Sequence, residues 1–119
     1  MKSIILFGHG ARDQEWAQPL IRLQAVVCKR LPDTDVRLAF LEFMAPTLDL
    51  AIDSAVQAGA DHVAVVPVFL AQGGHVKRDV PNIVEAARLR HPKVVFTLRP
   101  ALGELDRVIE ALAEGVILG

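Results

Sequence analysis

The sequence predicts an α/β domain of three layers, α/β/α, with a four-stranded parallel sheet in the middle. Two observations predict it. Four short apolar runs alternate with four longer stretches of helical periodicity. The runs are nearly continuous, as in Val63-Ala-Val-Val-Pro-Val-Phe-Leu70, which marks strands buried on both faces and therefore a parallel sheet covered by helices. Right-handed crossovers make 2-1-3-4 the expected strand order. The 119 residues suit a single domain, 1–119, with no linker, repeat or low-complexity segment.

Each element has its own signal. The first strand is expected over about 3–8. The first helix is expected over about 17–30, because Pro19 would break a helix interior but fits a first turn. The second strand is read over about 35–43. Pro46-Thr47 opens the second helix, and Gly59 stands where a helix ends in a left-handed residue. The third strand is read over about 62–69. Pro81 is expected to open the main body of the third helix, with Asp79 placed to cap it and His91-Pro92 to end it. The fourth strand covers about 93–98, and the last helix about 103–116, with Leu105, Val108, Ile109, Leu112 and Val116 at helical spacing.

Composition narrows the function classes. With 13 basic and 14 acidic residues, and 5% aromatics, there is no basic stripe to neutralise phosphates, so nucleic acid is not an expected partner. No apolar run is long enough for a membrane span. The stretch after Met1-Lys2 meets Gly8-His9 too soon for a signal-peptide core, so a cytoplasmic protein is expected. At 52% hydrophobic, the chain has more apolar surface than one small core consumes, which points to oligomerisation. The lone cysteine, Cys28, excludes a disulfide framework and reads as a small buried hydrophobe.

Strand direction sorts the four histidines. His9, in Gly8-His9-Gly10, follows the first strand, and His75, in Gly73-Gly74-His75, follows the third. Both therefore belong at the carboxyl edge of the sheet, where ligands bind in open α/β folds. His62 and His91 precede strands and are expected as solvated residues of the opposite edge. Two imidazoles at one edge suggest a metal site or an acid/base pair. Glu42, at the expected end of the second strand, is the natural third member, because a carboxylate there needs a partner or a metal. A nearby arginine is the alternative partner. Two imidazoles and a carboxylate suit a first-row divalent metal with open positions. Arg12, Lys77, Arg78 and Arg99 gather at the same edge. They are either a solvated rim, partly paired with Asp13 and Asp79, or a dock for a ligand with several carboxylates. Trp16 is expected in the core or an interface, where a flat ligand could also use it. The glycines do not complete a dinucleotide fingerprint or a P-loop and are read as backbone freedom around the histidines.

With these residues in place, the chain resembles the small, single-domain class II tetrapyrrole chelatases, the sirohydrochlorin cobaltochelatase/ferrochelatase family. The matching segments are Ile5-Leu-Phe-Gly-His-Gly-Ala-Arg-Asp13, Leu41-Glu-Phe-Met-Ala-Pro-Thr-Leu48, Val66-Pro-Val-Phe-Leu-Ala-Gln-Gly-Gly-His-Val-Lys-Arg-Asp-Val-Pro81 and Arg99-Pro-Ala-Leu-Gly103. They occur in family order and span essentially the whole chain. The resemblance implies that His9 and His75 bind the metal and help take pyrrole protons, with Glu42 assisting. It implies a chelatase of the lyase type, with no prosthetic group, that inserts Co²⁺ or Fe²⁺, with Ni²⁺ as a further candidate, into sirohydrochlorin for cobalamin or sirohaem. The family commonly has serine at Ala11 and proline at Gln14. The chain corresponds to one half of the longer, two-lobed members, which implies a homodimer that rebuilds their cleft by two-fold symmetry. Two alternatives stay open: a non-catalytic metal or tetrapyrrole carrier, and phosphoryl transfer through a phosphohistidine. The second is weak, because Gly8 stands where such phosphatases need arginine.

Overall fold

The computed structural model describes every residue, Met1–Gly119. The element order is β1 (Lys2–Gly8), a 3₁₀ turn (Gln14–Ala17), α1 (Gln18–Arg30), β2 (Asp35–Phe40), α2 (Leu48–Gln57) and β3 (His62–Pro67). Then follow α3 (Gly74–Arg90), β4 (Val95–Leu98), a 3₁₀ turn (Leu102–Glu104) and α4 (Asp106–Leu118). All strand pairs are parallel and the order is β2-β1-β3-β4, as expected. Phe7 pairs with Ala39 on one side and Pro67 on the other, so β1 and β3 end side by side.

Strand alternation divides the core in two. Ile5, Phe7, Val63, Val65 and Phe96 point to one face, where α2 brings Leu48, Ala51 and Ile52 and α3 brings Val76, Val80 and Val84. Ile52 is fully buried, which stabilises the fold by roughly 1.5–3 kcal/mol relative to an exposed side chain. The opposite face carries Leu6, Val36, Phe40 and Val66 under Leu20 of α1. The layers are therefore α/β/α. No helix is long and apolar enough to cross a membrane.

Three elements depart from expectation. β2 ends at Phe40 rather than 43, because Phe43 takes a left-handed backbone with φ 65° and turns the chain. α3 begins at Gly74, a full two turns before Pro81. Asp79 is thus inside the helix instead of capping it. Proline in a helix interior costs about 3 kcal/mol. Burial of Val76, Val80, Val84 and Ala87 along one stripe offsets that cost. α4 has the expected apolar stripe but buries none of its residues.

Two single residues also differ. Cys28 is exposed, not buried, because α1 turns Leu20, Leu23 and Val27 to the sheet and leaves position 28 beyond that stripe. Gly59 has φ 108° and ends α2 as the sequence predicts.

Candidate functional site

The loops that leave β1, β2 and β3 meet at the carboxyl edge. Backbone pairing outlasts the strands there: Leu41 N donates to Gly8 O at 2.9 Å, and Glu42 N donates to His9 O at 3.1 Å. Val68 N donates to Phe7 O at 2.8 Å on the other side. The His9 backbone is therefore fixed between the segments that carry Glu42 and the approach to His75. Its ring packs against Phe69, with centroids 4.4 Å apart.

Gly10 is demanded twice at this point. Its φ is 80°, and a Cβ there would overlap the Glu42 carbonyl oxygen. Gly73 and Gly74 differ: each has open space around it, so freedom of the backbone explains Gly10 and not the pair before His75. His75 is not in a loop. It is the second residue of α3, whose first-turn hydrogen bond runs from Lys77 N to Gly73 O at 2.9 Å.

His9, Glu42 and His75 are all exposed at this edge. Glu42 makes no ion pair, so the arginine partner considered from sequence is not there. No group of three His, Cys, Asp or Glu side chains lies close enough to hold a metal ion within the single chain. The edge presents donors without enclosing an ion.

The surroundings of the donors are apolar. His9, Gly10, Trp16, Pro19, Phe40 and Val68 line a cavity of about 290 Å³. Trp16 is 74% exposed, which removes it from the core and leaves its ring free beside His9. Phe43 and Leu70 are also exposed at this edge. They escaped the sequence reading because both sit in segments that read as buried strand ends. Their signal is only that the chain turns at them.

Of the four cations, Arg12 lies over the Phe43 ring, 4.9 Å from its centroid, and Lys77 and Arg78 occupy the first turns of α3. None of them pairs with Asp13 or Asp79; Asp13 instead accepts from Glu15 N at 2.9 Å. Arg99 stands apart. It lines a different cavity, with Lys2 and His62, on the sheet face under α1's side. β4 stops at Leu98, opposite Val65, two residues before the end of β3, so the Arg99 side chain is left over the sheet.

The far-edge histidines divide. His62 is exposed, with Nδ1 3.3 Å from Asp61 Oδ1. His91 is half-buried and not simply solvated: its Nε2 lies 2.8 Å from Asp53 Oδ1, which Arg90 also reaches at 2.9 Å. The His91 hydrogen bond, helped by Arg90, holds the Asp53 carboxyl below its ordinary range, against partial desolvation that pushes it up.

A parallel α/β/α domain whose carboxyl edge carries two imidazoles, a free carboxylate and apolar walls has the features of a protein that binds small ligands at that edge. The comparisons narrow that class. The CbiX family model matches residues 3–117, and the chain belongs to the CbiX family. It is 30% identical to the sirohydrochlorin cobaltochelatase of Saccharolobus solfataricus, over 98% of this chain and 94% of that one. It is 37% identical to the sirohydrochlorin cobaltochelatase of Methanocaldococcus jannaschii, over 71% of this chain and 59% of that protein. The chain spans 36% of a cobaltochelatase and 44% of a ferrochelatase from Priestia megaterium. Among solved structures, a CbiX protein of Marinobacter aquaeolei superposes with a TM-score of 0.85 at 29% identity, covering 99% of this chain and 96% of that one. The sirohydrochlorin chelatase SirB of Bacillus subtilis, in complex with cobalt, superposes at 0.76 and 29% identity, with 98% of this chain matching 50% of SirB.

Proposed function

We propose that this protein inserts a divalent metal, Co²⁺ or Fe²⁺, into sirohydrochlorin, and that it works as a homodimer. The observation that carries the reading is the meeting of His9 and the His75-bearing segment at the ends of adjacent strands, with the Glu42 backbone bonded to His9. The family supports the substrates.

The chemistry follows from the residues. The metal is a substrate, so it must be held and then released. Neutral imidazoles of His9 and His75 bind a first-row metal without trapping it, and the Glu42 carboxylate assists. The macrocycle exchanges two pyrrole protons for one metal ion. Glu42, or an imidazole nitrogen freed as it releases the metal, accepts those protons. Trp16, Phe43 and Leu70 offer exposed apolar surface to the flat ring. Arg12, Lys77 and Arg78, which make no ion pairs, face its carboxylates. Because the edge is open in one chain, two copies facing each other across it would exclude water from the metal during transfer.

Insertion into sirohydrochlorin with Co²⁺, Fe²⁺ and Ni²⁺ at matched free metal tests the reading. Multiple turnovers with at least one metal are expected. Stoichiometric binding without turnover, for all three, would make the protein a carrier.

A further inference from the structure

α4 and one half of the sheet are each missing a partner. On the face that α1 covers, α1 lies over β1 and β2 only. The β3–β4 half stays open as a cavity of about 330 Å³, with Ile4, Ala64 and Thr97 as its floor and Lys2, His62 and Arg99 around it. Val95 on the same strand face is 52% exposed. Meanwhile α4 presents Ile109, Leu112 and Val116 on one stripe to solvent. In a three-layer fold this is the helix that would cover that half of the sheet.

α4 does not reach its own sheet because its root is pinned. Gly103 N donates to Phe69 O at 2.9 Å, and Gly103 packs so closely on the Leu70 backbone that a Cβ would overlap it. Ala101 beside it is fully buried. Only Leu105 separates this anchored turn from the helix, so there is no slack to fold α4 back.

We propose that α4 of one copy docks on the open β3–β4 face of a second copy, and the reverse, as a two-fold exchange. This rests on the dimer reading above and assigns its surface. Three features favour a second copy as the occupant. The stripe is apolar, as are Ile4 and Ala64 of the floor. α4 carries Asp106, Glu110 and Glu114 against one cation, Arg107, whereas Lys2 and Arg99, neither of them in an ion pair, border the cavity. Finally, α4 leaves from beside Leu70, at the edge that bears the site, so an exchanged helix ties two such edges together. A helix of 13 residues is about 20 Å long, and two-fold symmetry applies the contact twice.

The test is the oligomeric state of the full chain by light scattering at tens of micromolar, with circular dichroism as the folding check. The wild type should be a dimer, and I109E/L112E should be a folded monomer, since α4 supports no part of the single-chain core. Thr97→Arg, on the exposed floor, should also yield a monomer. A dimeric I109E/L112E would overturn this inference and leave the dimer reading standing; a monomeric wild type would overturn both. Monomeric I109E/L112E with dimeric T97R would mean that α4 meets another surface, such as the second α4, and would overturn it too. A mixture of Leu112→Cys chains and Thr97→Cys chains, both in a Cys28→Ser background, gives an independent reading. A short bismaleimide should join unlike chains. Absence of that product overturns the proposal even if a point variant fails to fold.

Discussion

In the proposed mechanism the two histidines act as one unit, so their loss should not be additive. His9→Ala and His75→Ala are each expected to slow insertion by at least about a hundredfold, and the double variant little more. His62→Ala should leave the rate near wild type, since its side chain lies at the far edge and not beside His9. Insertion rates of the folded variants check this; a His62→Ala variant as slow as His75→Ala would remove the site assignment. Gly10 gives a second prediction. A side chain there costs about 1–2 kcal/mol in backbone strain, before the overlap with Glu42 O is counted. Gly10→Ala should therefore lower both thermal midpoint and rate, while Gly74→Ala, with open space around it, should change neither. Equal behaviour of the two variants would contradict this account of the loop.

Between elements, the clearest device is the clamp from Asp53 on α2 to Arg90 and His91 at the end of α3. The folded-state pKa of Asp53 is lowered, so its contribution is complete above the ordinary carboxylate pKa of about 3.9 and is lost as pH falls through the folded value. The pair is partly exposed, so solvent screening limits it to about 1 kcal/mol or less. Urea titrations from pH 7 down to pH 3 should show Asp53→Asn slightly less stable at neutral pH, with the gap closing below about pH 4. A gap that stays constant across this range would mean that the carboxylate's charge is irrelevant to the clamp. Sequence alone placed His91 at the correct edge but missed the clamp, because Asp53 and His91 are 38 residues apart and only the packing of α2 on α3 joins them.

For the whole molecule, the expectation of a dimer has a thermodynamic signature. If folding and association are linked, the thermal midpoint rises with protein concentration. Melting curves from about one to one hundred micromolar should shift upward; a constant midpoint would describe a chain that is stable alone. Such linkage suits this architecture, because an uncovered half-face and a helix without buried residues leave apolar surface that a single chain cannot remove from water.

The sequence by itself determined the parallel sheet, its order and the edge that holds His9 and His75. Those follow from local apolar runs and from strand direction, which need no knowledge of distant contacts. Near-continuous runs such as residues 63–70 are buried on both faces wherever they pair, and the hand of the crossovers leaves few orders open. The tertiary structure decided the rest. Pro81 reads as a helix start until the buried stripe from Val76 to Ala87 carries the helix through it. Cys28 reads as buried until α1 turns a different stripe to the sheet, and Trp16 reads as core or interface until the 3₁₀ turn before α1 leaves it exposed. Arg99 reads as part of the site until the shortness of β4 leaves it over the sheet. In each case local propensity was overridden by long-range packing, whose free energy depends on which faces meet and cannot be read from neighbours along the chain.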